Sequence, residues 1–145
     1  MDVVIREIEE NDYPAVTSLF TNEIMGKRDA DSSYKEPVAL FFDKVKNDDQ
    51  YVTFVALLDG SVVGFLSTAA IFWVSSTNLF IQCFAVQSEY QNKGIGKKLL
   101  GHAENYARAM GMTGAGLQSG VQRTAAHSFY EHNGYSRSNY FYKNF

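Results

Sequence analysis

The period of the apolar positions changes several times along the chain, and each change marks an element. Residues 3–8, VVIREI, read as a short strand. Asn11-Asp12-Tyr13-Pro14 follows, a polar stretch that can cap a helix and place proline in its first turn. Val16, Leu19, Phe20 and Ile24 then recur at helical spacing, with Gly26 expected as the stop. Residues 26–35, GKRDADSSYK, read as a loop, and Val38, Phe41, Phe42 and Val45 make a second, shorter helical stripe. Two runs of strand formers, 51–58 and 61–69, flank Asp59-Gly60, a pair suited to the positive φ angles of a tight hairpin. A second hairpin is expected to turn at Val74–Asn78 and return along 79–86.

Residues 94–110 carry the clearest helical stripe: Ile95, Leu99, Leu100, Ala103, Tyr106, Ala107 and Met110, with Gly111 behind it. A glycine-rich strand, 114–119, comes next. A helix over 124–133 follows, with Thr124 as its cap and Gly134 past its end. Tyr135 to Phe145 reads as one or two final strands. Hairpins combined with a crossover predict a mixed α/β domain, with one unit spanning 1–145.

Composition narrows the field. Thirteen basic residues against sixteen acidic ones leave a net charge of −3, so nothing general draws the chain to nucleic acid or an anionic membrane. A single cysteine, Cys83, excludes an internal disulfide and fits a reducing compartment. His102, His127 and His132 make no zinc spacing with it, so no metal is expected. No apolar run approaches the ~20 residues of a membrane span, and the acidic start, MDVVIREIEEND, has no signal-peptide character. The expectation is a soluble, cytoplasmic protein.

The chemistry concentrates in Val86-Gln-Ser-Glu-Tyr-Gln91-Asn-Lys-Gly94-Ile-Gly96-Lys-Lys98. A strand enters a loop with two glycines, and the loop opens onto a strong helix. The first helical turn has unpaired N–H groups and a partial positive charge, and glycines let a ligand approach the backbone. This is an anion site suited to phosphate, with Lys93, Lys97 and Lys98 nearby. The P-loop pattern is absent, and Leu99 stands where a dinucleotide fingerprint needs its third glycine. The structural alternative is a plain strand–helix turn, in which each glycine costs up to about 1 kcal/mol of helix stability.

The pattern Q-x-x-G-x-G at Gln91, Gly94 and Gly96 resembles the acyl-CoA pyrophosphate loop of the GNAT N-acetyltransferases. Ala126-His-Ser-Phe129-Tyr130-Glu-His-Asn-Gly134-Tyr135 is similar to that family's A-x-x-F-Y-x-x-x-G-[FY] segment, and VIREIEENDYPAV to its usual opening. The resemblance covers nearly the whole chain. It implies a mostly antiparallel sheet with one parallel, splayed strand pair, here 79–86 with 114–119, and about four helices. It implies acetyl-CoA as co-substrate, with backbone groups of Phe84, Ala85 and Val86 on the pantetheine arm. Gln91 and the stretch Asn92, Lys93, Gly94, Ile95, Gly96 and Lys97 would hold the pyrophosphate.

The implied reaction is direct attack of a small-molecule or peptide amine on the thioester, through a tetrahedral intermediate. Tyr130 matches the family's general acid, and its alternative is a packed core aromatic. Arg123 stands where many members carry Asn, and is left between a CoA phosphate contact and solvent. Some members place a catalytic Glu on the strand before the loop. Here 79–86 carries only Gln82, which is no base, and no base is assigned. Cys83 reads as a small buried hydrophobe. Glu23, Asp29, Asp31 and Glu36 form either an acidic rim for a cationic amine or an ordinary charged face. The aromatics of 140–145 are left between an acceptor pocket and a dimer contact, a homodimer being common in the family. The competing function is a non-catalytic acyl-CoA sensor or interaction module on the same fold.

Overall fold

The computed structural model describes residues 2–24 and 37–145. The expected Gly26 stop, the whole 26–35 loop, and Asp29, Asp31 and Glu36 lie outside them. Strand β1 spans Val3–Glu7, helix α1 Tyr13–Leu19 and helix α2 Val38–Val45. Strands β2 (Tyr51–Leu58), β3 (Ser61–Phe72) and β4 (Thr77–Val86) form the meander. Helix α3 (Ile95–Ala109), strand β5 (Gly114–Leu117) and helix α4 (Thr124–His132) complete the elements. The sheet order is β1-β2-β3-β4-β5, antiparallel except for the parallel β4–β5 pair. No described helix is long and apolar enough to cross a membrane.

Asp59 and Gly60 both take positive φ, 50° and 79°, as a tight hairpin requires. The sheet buries both faces. Val52, Phe54, Ala56, Leu66, Leu79 and Ile81 pack against Ile95, Leu99, Leu100, Ala103 and Ala107 of α3. On the opposite face Val55, Phe65 and Ala85 meet Val16 and Leu19 of α1 and Phe42 of α2. Strands buried on both faces read as unbroken apolar runs, which is why the alternation in 51–58 is so weak. Met110, placed by its spacing on the α3 stripe, is instead exposed, because the helix ends at Ala109 and the chain turns at Gly111.

Two starts differ from expectation. Asp12 does not cap α1 with its side chain. Its carboxylate accepts from the Glu9 amide at 2.8 Å and from Arg6 Nη1 at 2.7 Å, tying β1 to the 3-10 turn Glu10–Asp12. Arg123, not Thr124, stands at the N-cap of α4. The final strands are also absent. Residues 136–145 are exposed and form no strand, and β5 is the edge strand of the sheet among the described residues.

Two outcomes follow. Leu99 is fully buried at the centre of the α3 face, so Leu99→Ala is expected to cost about 2–5 kcal/mol in urea unfolding. The Arg6 hydrogen bond holds the Asp12 carboxyl below its ordinary range. That contribution is present above the unfolded value of about 3.9 and is lost as pH falls through the lower folded value. Asp12→Asn should remove this acid-side loss from the profile of urea midpoint against pH.

Candidate active site

The site begins where the sheet opens. Strand β4 pairs with β5 from Asn78 to Ile81, and from Gln82 onward it has β3 on one side and, among the described residues, no strand on the other. At the same point the β3–β4 register slips: Ser67 faces Cys83 while Thr68 faces Ile81, so Gln82 is an extra, bulged residue. A bulge shifts the side-chain phase. Ile81 and Phe84 therefore both turn to the α3 face, and Cys83 and Ala85 turn to the α1 face.

Phe84 is the pivot. Its ring lies 5.9 Å from Phe129 and 6.4 Å from Tyr130, so β4 meets α4 through aromatic contacts where it has left β5. Phe129 and Tyr130 are 5.4 Å apart, and Tyr130 and Tyr135 5.8 Å. Burial pushes the Tyr130 phenol above its ordinary value, opposed by the charge of Arg123 and assisted by Cys83. Tyr130 therefore remains a protonated donor at neutral pH. Tyr135 is raised further, first by burial and then by its hydrogen bond to Glu104 of α3 at 2.9 Å.

Beyond the open edge, the chain passes a 3-10 turn at Ser88–Tyr90 and enters the glycine loop. Gln91 Nε2 donates to the Val86 carbonyl at 2.9 Å and fastens the loop to the strand end. Asn92 and Gly94 both take left-handed conformations, with φ of 61° and 84°. Such turns make successive amides converge on a concave anion site. Gly94 is the N-cap of α3 and supplies no side-chain cap, so the first-turn amides of a 15-residue helix have no capping group.

Lys93 Nζ lies 5.7 Å above the Tyr90 ring, and Lys97 and Lys98 are exposed. The Ile95 side chain is buried in the core, so only its backbone faces the loop. A Cβ on Gly96 would make only ordinary contacts, 3.5 Å from Phe84 and 3.6 Å from Phe129, so packing alone does not require glycine there.

The structure thus brings Phe84, Ala85 and Val86, the 91–97 loop and Tyr130 to one end of the sheet, with the charge of Arg123 felt at Tyr130. His127 bonds the Gly120 carbonyl at 2.8 Å and His132 the Ser128 carbonyl at 2.7 Å. Among the described residues no group of three or more His, Cys, Asp or Glu could hold a metal.

One contact had no sequence signal. Glu23, in the π-helical turn Phe20–Ile24, accepts from the Ser88 amide at 3.1 Å and from Ser88 Oγ at 2.8 Å. It ties α1 to the loop entrance across 65 positions, and only tertiary folding reveals that partner. The bulge at Gln82 is likewise invisible in the sequence.

These features define a class. Over 99% of this chain and 96% of the other, the structure matches an aminoglycoside acetyltransferase from an uncultured soil metagenomic sample, with a TM-score of 0.80 at 24% identity. A transcriptional regulator from Bacillus halodurans matches over 99% of both chains, with a TM-score of 0.86 at 25% identity. The fold is that of an acetyltransferase.

The acetyltransferase (GNAT) family model matches residues 5–135. An aminoalkylphosphonate N-acetyltransferase of Salmonella typhimurium is 31% identical over 130 residues, 77% of this chain and 82% of that protein. The chain belongs to the acetyltransferase (GNAT) family and is an acetyl-CoA-dependent N-acetyltransferase.

The two loop glycines should respond oppositely to alanine. Gly94→Ala, at φ 84°, is expected to lower stability by about 1–2 kcal/mol. Gly96→Ala is expected to leave stability unchanged or raise it by up to about 1 kcal/mol. Thermal unfolding of the two proteins checks both.

Proposed function

We propose that the chain transfers an acetyl group from acetyl-CoA to a small-molecule primary amine at the open edge of β4. One observation carries this reading: β4 parts from β5 at Ile81, beside an uncapped helix N-terminus and within aromatic contact of Tyr130. The residues fit the cofactor. Residues 92–97 offer converging amides and lysine charge for a diphosphate. The edge from Gln82 to Val86 offers main-chain groups that a pantetheine arm can pair with as an added strand. Arg123, exposed near Tyr130, is a candidate for a further phosphate contact. Acetyl-CoA, when bound, supplies the thioester as acyl donor.

The chain's own groups have three tasks. The loop amides anchor the phosphates and set the depth of the arm. A backbone N–H on the open stretch of β4 would stabilise negative charge on the acyl oxygen. Tyr130 holds a proton near the departing sulfur, and its raised value keeps that proton available at neutral pH. Gln82 is an amide and takes no proton, so the amine attacks in its neutral form, and the proton released from nitrogen as the C–N bond forms passes to water. The small-molecule acceptor is supported by the Salmonella relative, which acts on aminoalkylphosphonates.

Calorimetry with coenzyme A and a thiol-release assay over aminoalkylphosphonates, aminoglycosides, polyamines and peptides test this reading. Gly96→Ala should weaken coenzyme A binding about 10-fold or more without loss of fold. Tyr130→Phe should lower turnover by about 10²-fold and leave coenzyme A affinity within about twofold. An unchanged rate in Tyr130→Phe removes the general-acid role. Absence of coenzyme A binding by the intact chain removes the site.

A further inference from the structure

Helix α4 ends on a turn that brings two tyrosines together. The Tyr135 amide donates to the Tyr130 carbonyl at 3.0 Å, and the Gly134 amide to the Glu131 carbonyl at 3.1 Å. Between them Gly134 takes a φ of 91°. This left-handed helix cap sets the residue after the glycine against the residue five positions back. The Tyr130 and Tyr135 rings accordingly meet edge to face at 5.8 Å. Phe84 at 6.4 Å and Phe129 at 5.4 Å also flank the Tyr130 ring. The Tyr130 hydroxyl has no hydrogen bond to a described residue, so these rings set where it points.

Tyr135 in turn is held from outside α4. Its hydroxyl donates to Glu104 Oε2 of α3 at 2.9 Å, in a half-buried setting. Burial and this bond keep the Tyr135 phenol above its ordinary value, so it stays a donor at neutral pH. Other side-chain hydrogen bonds here remain local: His127 to Gly120, His132 to Ser128, Asn133 to Phe129 and Arg137 to Glu131. Tyr135 to Glu104 instead spans 31 positions and reaches the core. The helix that receives it is firmly seated, with Leu99, Leu100 and Ala103 fully buried. Glu104 lies nine positions beyond Ile95, roughly 14 Å along the axis at the helical rise. One helix therefore carries both the first-turn amides at the glycine loop and the acceptor that braces Tyr135. Glu104, Tyr135 and Tyr130 all line a groove of about 1230 Å³ along β5.

We infer that Glu104 and Tyr135 are positioning residues for Tyr130: α3 holds Tyr135 by its hydroxyl, and Tyr135 holds the Tyr130 ring at the open stretch of β4. The inference rests on the general-acid reading of Tyr130 and extends it. The acid must meet the sulfur of a molecule anchored some distance away, at the start of α3. A brace on that same helix fixes the separation of anchor and acid, where α4 by itself offers only ring contacts. Misplacement by about 1 Å is enough to slow a reaction many-fold.

Three variants test this with acetyl-CoA and 2-aminoethylphosphonate. Tyr135→Phe keeps the ring and loses the bond, Glu104→Ala removes the acceptor, and Glu104→Gln restores one. The first two are expected to lower kcat about 10-fold with the KM for acetyl-CoA within about twofold, and Glu104→Gln to recover the rate. Added to Tyr130→Phe, Tyr135→Phe should cost less than about twofold more, because both act through one hydroxyl. A fluorotyrosine at position 130 reports the ring itself. Its fluorine resonance should shift in Glu104→Ala and return in Glu104→Gln, with far-ultraviolet dichroism unchanged throughout. If Tyr130→Phe slows turnover while Tyr135→Phe and Glu104→Ala do not, the inference is overturned and the general acid stands. Full additivity with Tyr130→Phe, or a Glu104→Gln as slow as Glu104→Ala, also overturns it. If this amine is not turned over, or Tyr130→Phe keeps the full rate, the general-acid reading loses its support and the fluorine signal alone decides. A resonance unmoved by Glu104→Ala then overturns the inference, and one that shifts and returns sustains it.

Discussion

Main-chain groups on a sheet edge must find partners, and in this protein one short edge has been left without a strand. β4 is paired along its length by β3 but by β5 over four residues only, and the bulge at Gln82 sits where the second pairing stops. Everything distinctive about the site depends on that opening. The bulge resets the side-chain phase, so Phe84 faces α4 and not α1. Phe84 then sets Phe129 and Tyr130 against the strand. Without the extra residue the same sequence would send Phe84 to the opposite face.

The opening is held by both layers of the fold. On one side the α3 core, centred on Leu99 and Leu100, fixes where the helix begins and so where its first amides lie. On the other side Glu23 grips Ser88 at the loop entrance. Gln91 closes the link back to Val86. The loop is thus fastened at both ends while its centre, Asn92 to Gly94, keeps the left-handed backbone that an anion cradle uses. Burial and polarity are divided sharply: Ile95 anchors inward with its side chain, and its amide belongs to the rim.

Two open stretches of sheet edge meet at β5, which is both short and last in the sheet order. On the β4 side its early end leaves residues 82–86 open beside the glycine loop. On the outer side it leaves an apolar groove and ten residues without a ladder. A four-residue strand with glycine at two of its positions, Gly114 and Gly116, offers few pairing groups and little packing. Tyr130 lies between the open stretch of β4, through Phe84, and the groove along β5.

Much was legible in the sequence because it rests on local physics. Periodicity located the helices and strands, Asp59-Gly60 its turn, and the paired motifs at 91–96 and 126–135 the family and the loop. A helix stripe and a glycine at positive φ depend on neighbours a few residues away, and those neighbours are written in order. What only tertiary structure decided are long-range matters: the bulge at Gln82, the Glu23–Ser88 contact across 65 positions, the exposure of Met110, and the absence of final strands. Each depends on which surface another segment presents. A strand pattern in 135–145 states a preference for pairing, but a ladder also needs the segment laid against an edge in register, and that is decided by the fold.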